Sequence, residues 1–292
     1  MHLLMLIATF CWATNIIAGK EALRGFGALV LAQMRVSGAA VIYALLFVAF
    51  ARRSSLGGSA RQWTFVGVVA LFGITLNQLF FIGGLARTSA AHSGLIVALG
   101  PVMVLALSRM MRMEALTFLK SIGILVSLGG VAILTTGKAG RGNGAHWQGD
   151  LLALAGSAVF AYYTILVKEA ADQYDALTLN AMIFALGAAL MLPFTAHELL
   201  VVRWSAMPPV AWWGLAYMVV LGSVLAYLLF AFALTELAPS RVAAFNYLQP
   251  LIAISLGVWM LGEKVTSSLV VGGTLILGGL YLTEREPSSS EW

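Results

Sequence analysis

The residues of this chain that could bind a ligand inside apolar stretches are amides, phenols and indoles. Trp12 and Asn15 are three residues apart and would share one face of a helix. Asn246 and Gln249 have the same spacing and directly precede Pro250. Because an amide that faces lipid is costly, these groups are expected to face a helix bundle. The ten candidate substrate-binding residues are Trp12, Asn15, Asn77, Gln78, Tyr162, Tyr163, Tyr227, Asn246, Tyr247 and Gln249.

These residues have two interpretations. In the first they line a cavity, where the amides bind the ammonium and carboxylate groups of a zwitterion and the rings stack on its side chain. In the second they form hydrogen bonds between helices, which is a common role of Asn and Gln in membranes. The first is favoured for Asn246 and Gln249, because the adjacent proline frees backbone groups.

The ionisable residues argue against catalysis and against proton coupling. All twelve carboxylates lie in polar loops or at the ends of apolar segments, whereas proton relays and cation sites use ionisable groups within the membrane. The four histidines are dispersed over different loops and segment ends, which predicts that there is no metal site. No Ser-His-Asp set or glycine-rich phosphate loop is placed for a reaction. We therefore expect no enzymatic activity and no cofactor, and, for a chain that carries a solute across a membrane, movement down the gradient of that solute, as in a facilitator.

The composition is that of an integral membrane protein. Hydrophobic residues make up 61% of the 292 residues and charged residues 10%, whereas a soluble domain is about 25% charged. The net charge of +5 is therefore interpreted by the topology rules of membrane proteins, and no nucleic-acid partner is expected. The single cysteine, Cys11, excludes an intramolecular disulfide.

Ten apolar segments follow one another along the chain, which predicts an all-α protein with ten transmembrane helices. Polar hinges separate them, and the longest is a glycine-rich stretch before residue 149. The predicted segments are 3–19, 28–51, 64–86, 93–108, 119–137, 149–167, 177–196, 210–231, 242–261 and 268–283.

The segments repeat as two sets of five. Pro101 recurs as Pro250, and Glu114 recurs as Glu263, each 149 residues later. Such a constant shift predicts a duplicated unit: a first five-helix repeat at 1–137, a linker at 138–148, a second repeat at 149–284 and a polar tail at 285–292. Because five is odd, the second copy enters the membrane inverted, as in many secondary transporters.

The loop charges predict the orientation. With the N-terminus inside, the inner loops hold nine lysines and arginines and the outer loops hold seven. Since cytoplasmic loops carry the excess of positive charge, both termini are expected in the cytoplasm.

These features resemble the EamA-type drug/metabolite transporter superfamily. The resemblance rests on Trp12 to Lys20 in segment one, on Arg35, and on the two hinge-helix-Pro-helix-Glu-x-x-Thr units. The second unit contains Gly262-Glu263-Lys264, whereas the first has Met113 where glycine is usual. The resemblance implies ten helices around a central cavity, alternating access and a bacterial inner-membrane location.

Within that superfamily the chain most resembles bacterial exporters of aromatic amino acids and methionine. The cavity is then expected to accept these substrates and to reject acidic amino acids. An exporter of drugs or other small metabolites is the alternative, although a carrier of that kind would need central charge, which the sequence offers only at Arg35. A membrane scaffold without a cavity is a further alternative.

Three more features each have two interpretations. Pro101 and Pro250 are either tolerated kinks or hinges of rocking helices. Arg35, two turns inside segment two, either extends to the outer surface, which is favoured, or binds a substrate carboxylate. The glycines of segments five and ten either pack inside the bundle or form the contact of a homodimer. Those small residues are Gly123, Ser127, Gly129, Gly130, Gly272, Gly273, Gly278 and Gly279.

Overall fold

A computed structural model describes residues 1–50, 59–110, 118–136, 146–237, 242, 245 and 248–284, and these residues form helices and no strands. The all-α prediction is therefore confirmed. The helices in the described residues are α1 (His2–Ala22), α2 (Ala28–Phe50), α3 (Ala60–Leu85), α4 (Ala90–Val97), α5 (Gly100–Met110), α6 (Phe118–Thr136), α7 (Trp147–Ala170), α8 (Ala176–Val201), α9 (Pro209–Glu236), α10 (Leu248–Leu261) and α11 (Ser267–Glu284).

Six helices in the described part of the chain are long and apolar enough to cross a membrane, namely α1, α2, α3, α7, α8 and α9. Four shorter apolar helical stretches, at Ala90–Val104, Ser121–Leu134, Leu248–Leu261 and Ser267–Gly279, accompany them. The six long helices surround the larger of the apolar cores, and α4, α6, α7 and α11 form a smaller one.

The helix ends follow local sequence signals. Asp175 caps α8, since its carboxylate accepts hydrogen bonds from the backbone N–H groups of Leu177 and Thr178, each at 3.0 Å. Ser89 caps α4 in the same way through the N–H of His92. Gly262 ends α10 with a positive φ of 67°, a conformation that glycine adopts without strain.

Segment four differs from the prediction, because it forms two helices instead of one. The break lies at Ala98 and Leu99, and Pro101 is the second residue of α5. Pro250 is the third described residue of α10, and residues 246 and 247 before it lie outside the described residues. A proline in the first turn of a helix breaks no helical hydrogen bond, so Pro101 does not kink the middle of a described helix.

Two of the long helices contain a π-helical stretch that the sequence did not predict. These stretches are Leu71–Leu76 in α3 and Met218–Leu225 in α9. Each stretch contains a glycine that is in close contact with a side chain of another helix. The Tyr163 ring lies against Gly73, and the Asn15 amide lies against Gly222. A Cβ atom at either glycine would overlap the facing side chain. The absence of a side chain thus permits both close approaches.

We expect Gly73→Ala to lower the free energy of unfolding by about 1–3 kcal/mol, because overpacking a filled core forces side chains and backbone to shift. The measurement is thermal unfolding of purified protein in detergent. Gly67→Ala is the matched control, since Gly67 lies in the same helix with open space around its Cβ position, and alanine there favours the helix. Equal stability of the two variants would contradict the close contact with Tyr163.

The small residues of segments five and ten bring α6 and α11 together within one chain. A Cβ at Gly130 would lie 2.7 Å from the carbonyl oxygen of Gly272, and Ser127 Oγ donates to the carbonyl of Ile276 at 3.2 Å. Gly129 and Gly278, in contrast, have no atom within 4 Å of their Cβ positions. Part of the glycine pattern therefore serves packing inside the bundle.

Candidate functional site

A cavity lies between the long helices, and it contains most of the sequence-predicted site. The centre of a water molecule can occupy about 70 Å³ of it. Its walls come from α1, α2, α3, α4, α5, α7, α9 and α10. The lining residues are Trp12, Asn15, Ile16, Arg35, Asn77, Gln78, Phe81, Val97, Gly100, Gly156, Ser157, Phe160, Tyr227 and Gln249.

Six of the ten predicted site residues line this cavity: Trp12, Asn15, Asn77, Gln78, Tyr227 and Gln249. Two others, Tyr162 and Tyr163, are not among the lining residues. Asn246 and Tyr247 lie outside the described residues.

Tyr162 and Tyr163 do not line the cavity, whereas Phe160 of the same helix does. The ring of Tyr163 is buried against Gly73 and stacks on Phe230. Tyr162 is half-buried and contacts the edge of Phe72. Consecutive helical residues differ by about 100° in direction, so two adjacent tyrosines cannot both share the face of Phe160. The signal for Phe160 was its alignment with Trp12, 148 residues earlier.

An aromatic wall forms one side of the cavity. The indole of Trp12 meets the ring of Phe160 edge-on at 5.6 Å and that of Tyr227 at 5.7 Å, measured between centroids. Phe230 lies behind it at 5.2 Å. Trp12 Nε1 donates a hydrogen bond to the carbonyl of Gly222 at 3.1 Å. Because its polar atom is bonded to the backbone, the indole presents a fixed apolar surface to the cavity.

An amide network forms another part of the cavity lining. Gln78 Nε2 donates to Tyr227 Oη at 3.0 Å and to Asn77 Oδ1 at 2.9 Å. Asn77 Nδ2 donates to the carbonyl of Gly156 at 3.1 Å. These bonds join α3 to α7 and α9. The same amides therefore both line the cavity and form hydrogen bonds between helices, which was the second interpretation of these residues.

Arg35 is buried at the cavity, and the expectation that it extends to the outer surface is wrong. Its side chain has 2% exposure. Nε donates to Ser223 Oγ at 2.7 Å and Nη2 to the carbonyl of Gly222 at 3.2 Å. The guanidinium carbon lies 6.0 Å from the centroid of the Phe81 ring. These acceptors belong to the π-helical stretch of α9 and hold the side chain inside the bundle.

Three buried polar atoms of cavity-lining residues have no hydrogen-bond partner among the described residues. They are one donor, Arg35 Nη1, and two acceptors, Asn15 Oδ1 and Gln78 Oε1. Buried polar groups are almost always satisfied, and exceptions commonly mark functional sites. Residues that line the cavity therefore carry both unpaired donors and unpaired acceptors.

A second polar cluster lies where α1 ends and where α4 and α7 begin. The buried carboxylate of Asp150 is 3.2 Å from His92 Nδ1 and accepts a hydrogen bond from Thr88 Oγ1. Lys20 donates to the carbonyl of Thr88. Asp150 is near the start of α7, as expected for a carboxylate at a segment end.

Glu263 belongs to the same end of the molecule. Its carboxylate accepts hydrogen bonds from the backbone N–H groups of Ala90 at 2.6 Å and Ala91 at 3.0 Å, and thus satisfies the first turn of α4. Gly262, with its positive φ, turns the chain so that Glu263 reaches this helix. The Gly-Glu-Lys motif therefore ties the α10–α11 loop to α4.

Comparisons with known protein sequences identify a family of transporters. The sequence profile of the EamA-like transporter family matches residues 1–136 and 147–285. An uncharacterized transporter of Archaeoglobus fulgidus is 30% identical over 283 residues, which are 97% of this chain and 96% of the relative. The “Probable terminal-alkyne amino-acid exporter” of Streptantibioticus cattleyicolor is 23% identical over 281 residues, which are 96% and 92% of the two chains.

The fold is also similar to that of a solved protein. One crystal structure aligns with a TM-score of 0.66 at 20% identity, and the alignment covers 97% of this chain and 95% of the other. At this identity the likeness extends to the fold alone.

Proposed function

Because the chain belongs to the EamA-like transporter family, we propose that it exports amino acids, mainly aromatic ones and methionine, through the cavity between its long helices. The observation that carries this proposal is the combination of an aromatic wall with unpaired donor and acceptor atoms. An amino acid brings a positively charged donor, a negatively charged acceptor and a side chain, and the unpaired atoms can replace the water that its charged groups lose.

The aromatic wall favours a large apolar side chain. Trp12, Phe160 and Tyr227 provide broad apolar surface, on which a ring or a thioether packs well. An acidic side chain would place a second carboxylate against these rings, where no described residue pairs with it. The amino-acid exporter among the relatives is compatible with this substrate class.

Alternating access is proposed to arise from two inverted five-helix repeats. Several contacts support the duplication, since they join positions 149 residues apart: Gln78 bonds Tyr227, and Ser127 bonds Ile276. The π-helical glycines, Gly73 and Gly222, are also 149 residues apart. In an inverted pair of repeats, equivalent residues meet at the symmetry axis. The ten-helix arrangement with repeats at 1–137 and 149–284 is therefore our proposal for the whole chain.

Alternating access requires one end of the bundle to open when a substrate enters. The cluster of Lys20, Thr88, His92, Asp150 and Glu263 holds one end of the bundle together. With the proposed orientation this end faces outward, and its separation would open the cavity to that side.

Flux of labelled amino acids into liposomes tests the function. We expect phenylalanine and methionine to move much faster than glutamate, and we expect this flux to persist without a pH gradient. Glutamate moving as fast as phenylalanine would contradict the proposed cavity. Uphill movement of the amino acid driven by a pH gradient alone would contradict the proposal that the protein is a facilitator. Efflux of a cationic drug without amino-acid flux would instead favour the alternative, a drug or other small-metabolite exporter.

Labelling of single cysteines tests the topology. Arg53→Cys and Arg141→Cys, each in a Cys11→Ala background, are expected to react with a membrane-impermeant reagent from opposite sides of the bilayer. The reason is that three proposed membrane crossings separate the two positions, with both termini in the cytoplasm of a bacterial inner membrane. Reaction from the same side would rule out the inverted repeat.

A homodimer through α6 and α11 remains a proposal. Gly129 and Gly278 have open space around their Cβ positions and could admit a second copy closely. Light scattering of the purified protein in detergent would give its mass, and a monomeric mass would remove this proposal.

A further inference from the structure

Arg35 is a buried charge at the cavity without a counter-ion among the described residues. The ion pairs among the described residues are Arg24 with Glu21 and, when the imidazole is protonated, His92 with Asp150, and neither pair lines the cavity. The residues that bond Arg35, Ser223 and Gly222, are neutral. A buried charge without a partner is strongly unfavourable, and an ionisable residue inside a membrane bundle commonly marks a substrate path.

The protein fixes the direction of the guanidinium group. Nε is held by Ser223 Oγ and Nη2 by the carbonyl of Gly222. Because the guanidinium group is planar, fixing two of its nitrogens also fixes the third, Nη1. Nη1 is the nitrogen that has no partner. Its remaining N–H donors are therefore positioned in advance for an acceptor such as a carboxylate oxygen.

The groups available to a substrate ammonium are weaker. The unpaired acceptors, Asn15 Oδ1 and Gln78 Oε1, are neutral amide oxygens, and no carboxylate is found among the described lining residues. An ammonium group without a carboxylate would also meet the positive charge of Arg35. The lining residues are thus asymmetric: they offer a full positive charge to a carboxylate and only dipoles to an ammonium group.

We infer that Arg35 anchors the substrate carboxylate, and that the cavity therefore also accepts apolar monocarboxylates that lack an amino group and excludes the corresponding amines. This inference rests on the proposed function, because it assigns the substrate site to the same cavity. It adds a substrate class, the des-amino acids, and it places the specificity for the charged group at one residue.

Calorimetric binding to purified protein in detergent tests the inference, with 3-phenylpropionate and 2-phenylethylamine as probes. The heat of titration into empty micelles is subtracted, because both compounds partition into detergent. We expect the acid to bind at least about tenfold more tightly than the amine, since hydrogen bonds to charged groups have this magnitude. Equal binding of the two, or tighter binding of the amine, would overturn the inference.

Variants then assign the effect to Arg35. Arg35→Met should abolish the preference for the acid, and Arg35→Lys should reduce it, because lysine keeps the charge but loses the planar fork. Arg24→Met is the control, since Arg24 is exposed and paired with Glu21, and it should retain the wild-type preference. An unchanged preference in Arg35→Lys contradicts the anchor even if Arg35→Met does not fold.

The experiment separates this inference from the proposed function. Phenylalanine flux together with equal binding of the two probes would leave amino-acid transport standing and remove the anchor. A clear preference for the acid without any phenylalanine flux would leave the anchor standing and remove amino-acid transport.

Discussion

His92→Ala is expected to lower the free energy of unfolding by about 3–5 kcal/mol, because it leaves the carboxylate of Asp150 buried without its ionisable partner. The two side chains are 5% and 2% exposed, and His92 Nδ1 is 3.2 Å from Asp150 Oδ2. Thr88 alone would then bond the carboxylate through a side chain. The measurement is thermal or chemical unfolding of the purified protein in detergent.

His197→Ala is the matched control. His197 is exposed on α8, so its replacement should change the free energy of unfolding by less than about 0.5 kcal/mol. The double variant His92→Ala with Asp150→Ala completes a double-mutant cycle. Its loss of unfolding free energy should be smaller than the sum of the losses in the two single variants, because removing both partners leaves no unpaired charge. Additive losses would mean that the pair does not interact.

The pair formed by His92 and Asp150 also matters for the energetics of transport. The facilitator hypothesis rests on the position of the carboxylates at segment ends, and Asp150 occupies such a position while being buried. If a pH gradient were found to drive uphill transport, His92 and Asp150 would be the first residues to replace. They lie at an end of the bundle that must separate in the proposed cycle, where a change of charge would act on opening.

The helices and the composition of the cavity could largely be predicted from the sequence. Apolar stretches of sufficient length predict the six long helices, because every backbone polar group in a membrane needs an internal partner. Buried amides are costly in lipid, so Asn15, Asn77, Gln78 and Gln249 were correctly placed facing the bundle. The three-residue spacing of Trp12 and Asn15 placed both on the cavity face.

The direction of individual side chains could not be predicted for α7. The rotation of a helix about its axis depends on what its neighbours offer, and α7 turns so that Tyr163 fills the space at Gly73. That space exists because Gly73 has no side chain, and Gly73 lies in a π-helical stretch for which the sequence has no clear signal. As a result, Phe160 faces the cavity in place of the tyrosines.

The error at Arg35 has a related cause. Its distance from the helix end favours an extended side chain that reaches the surface. In the structure, the π-helical stretch of α9 places Ser223 Oγ and the carbonyl of Gly222 beside it. Tyr43 bonds the carbonyls of Ser223 and Val224 in the same stretch. A local change of helix type on a neighbouring element therefore decides where the charge lies.

Trp12→Ala is expected to lower phenylalanine flux about ten- to hundredfold, because the indole supplies much of the apolar surface on which the substrate ring would pack. Burying a side chain such as phenylalanine contributes about 1.5–3 kcal/mol, and each 1.4 kcal/mol corresponds to about a factor of ten in affinity. The indole contacts the rings of Phe160, Tyr227 and Phe230, so its loss also loosens the rest of the wall.

The measurement is uptake of labelled phenylalanine into liposomes, with the amount of folded protein determined by size-exclusion chromatography. Trp213→Ala is the matched control, because Trp213 is 76% exposed on α9 and is not among the residues that line the cavity. It should transport like the wild type.

Gln249→Ala, which removes a buried amide from the lining, should lower flux by about tenfold or more if that amide bonds a charged group of the substrate. Wild-type flux in both folded cavity variants would mean that amino acids take another route through the protein.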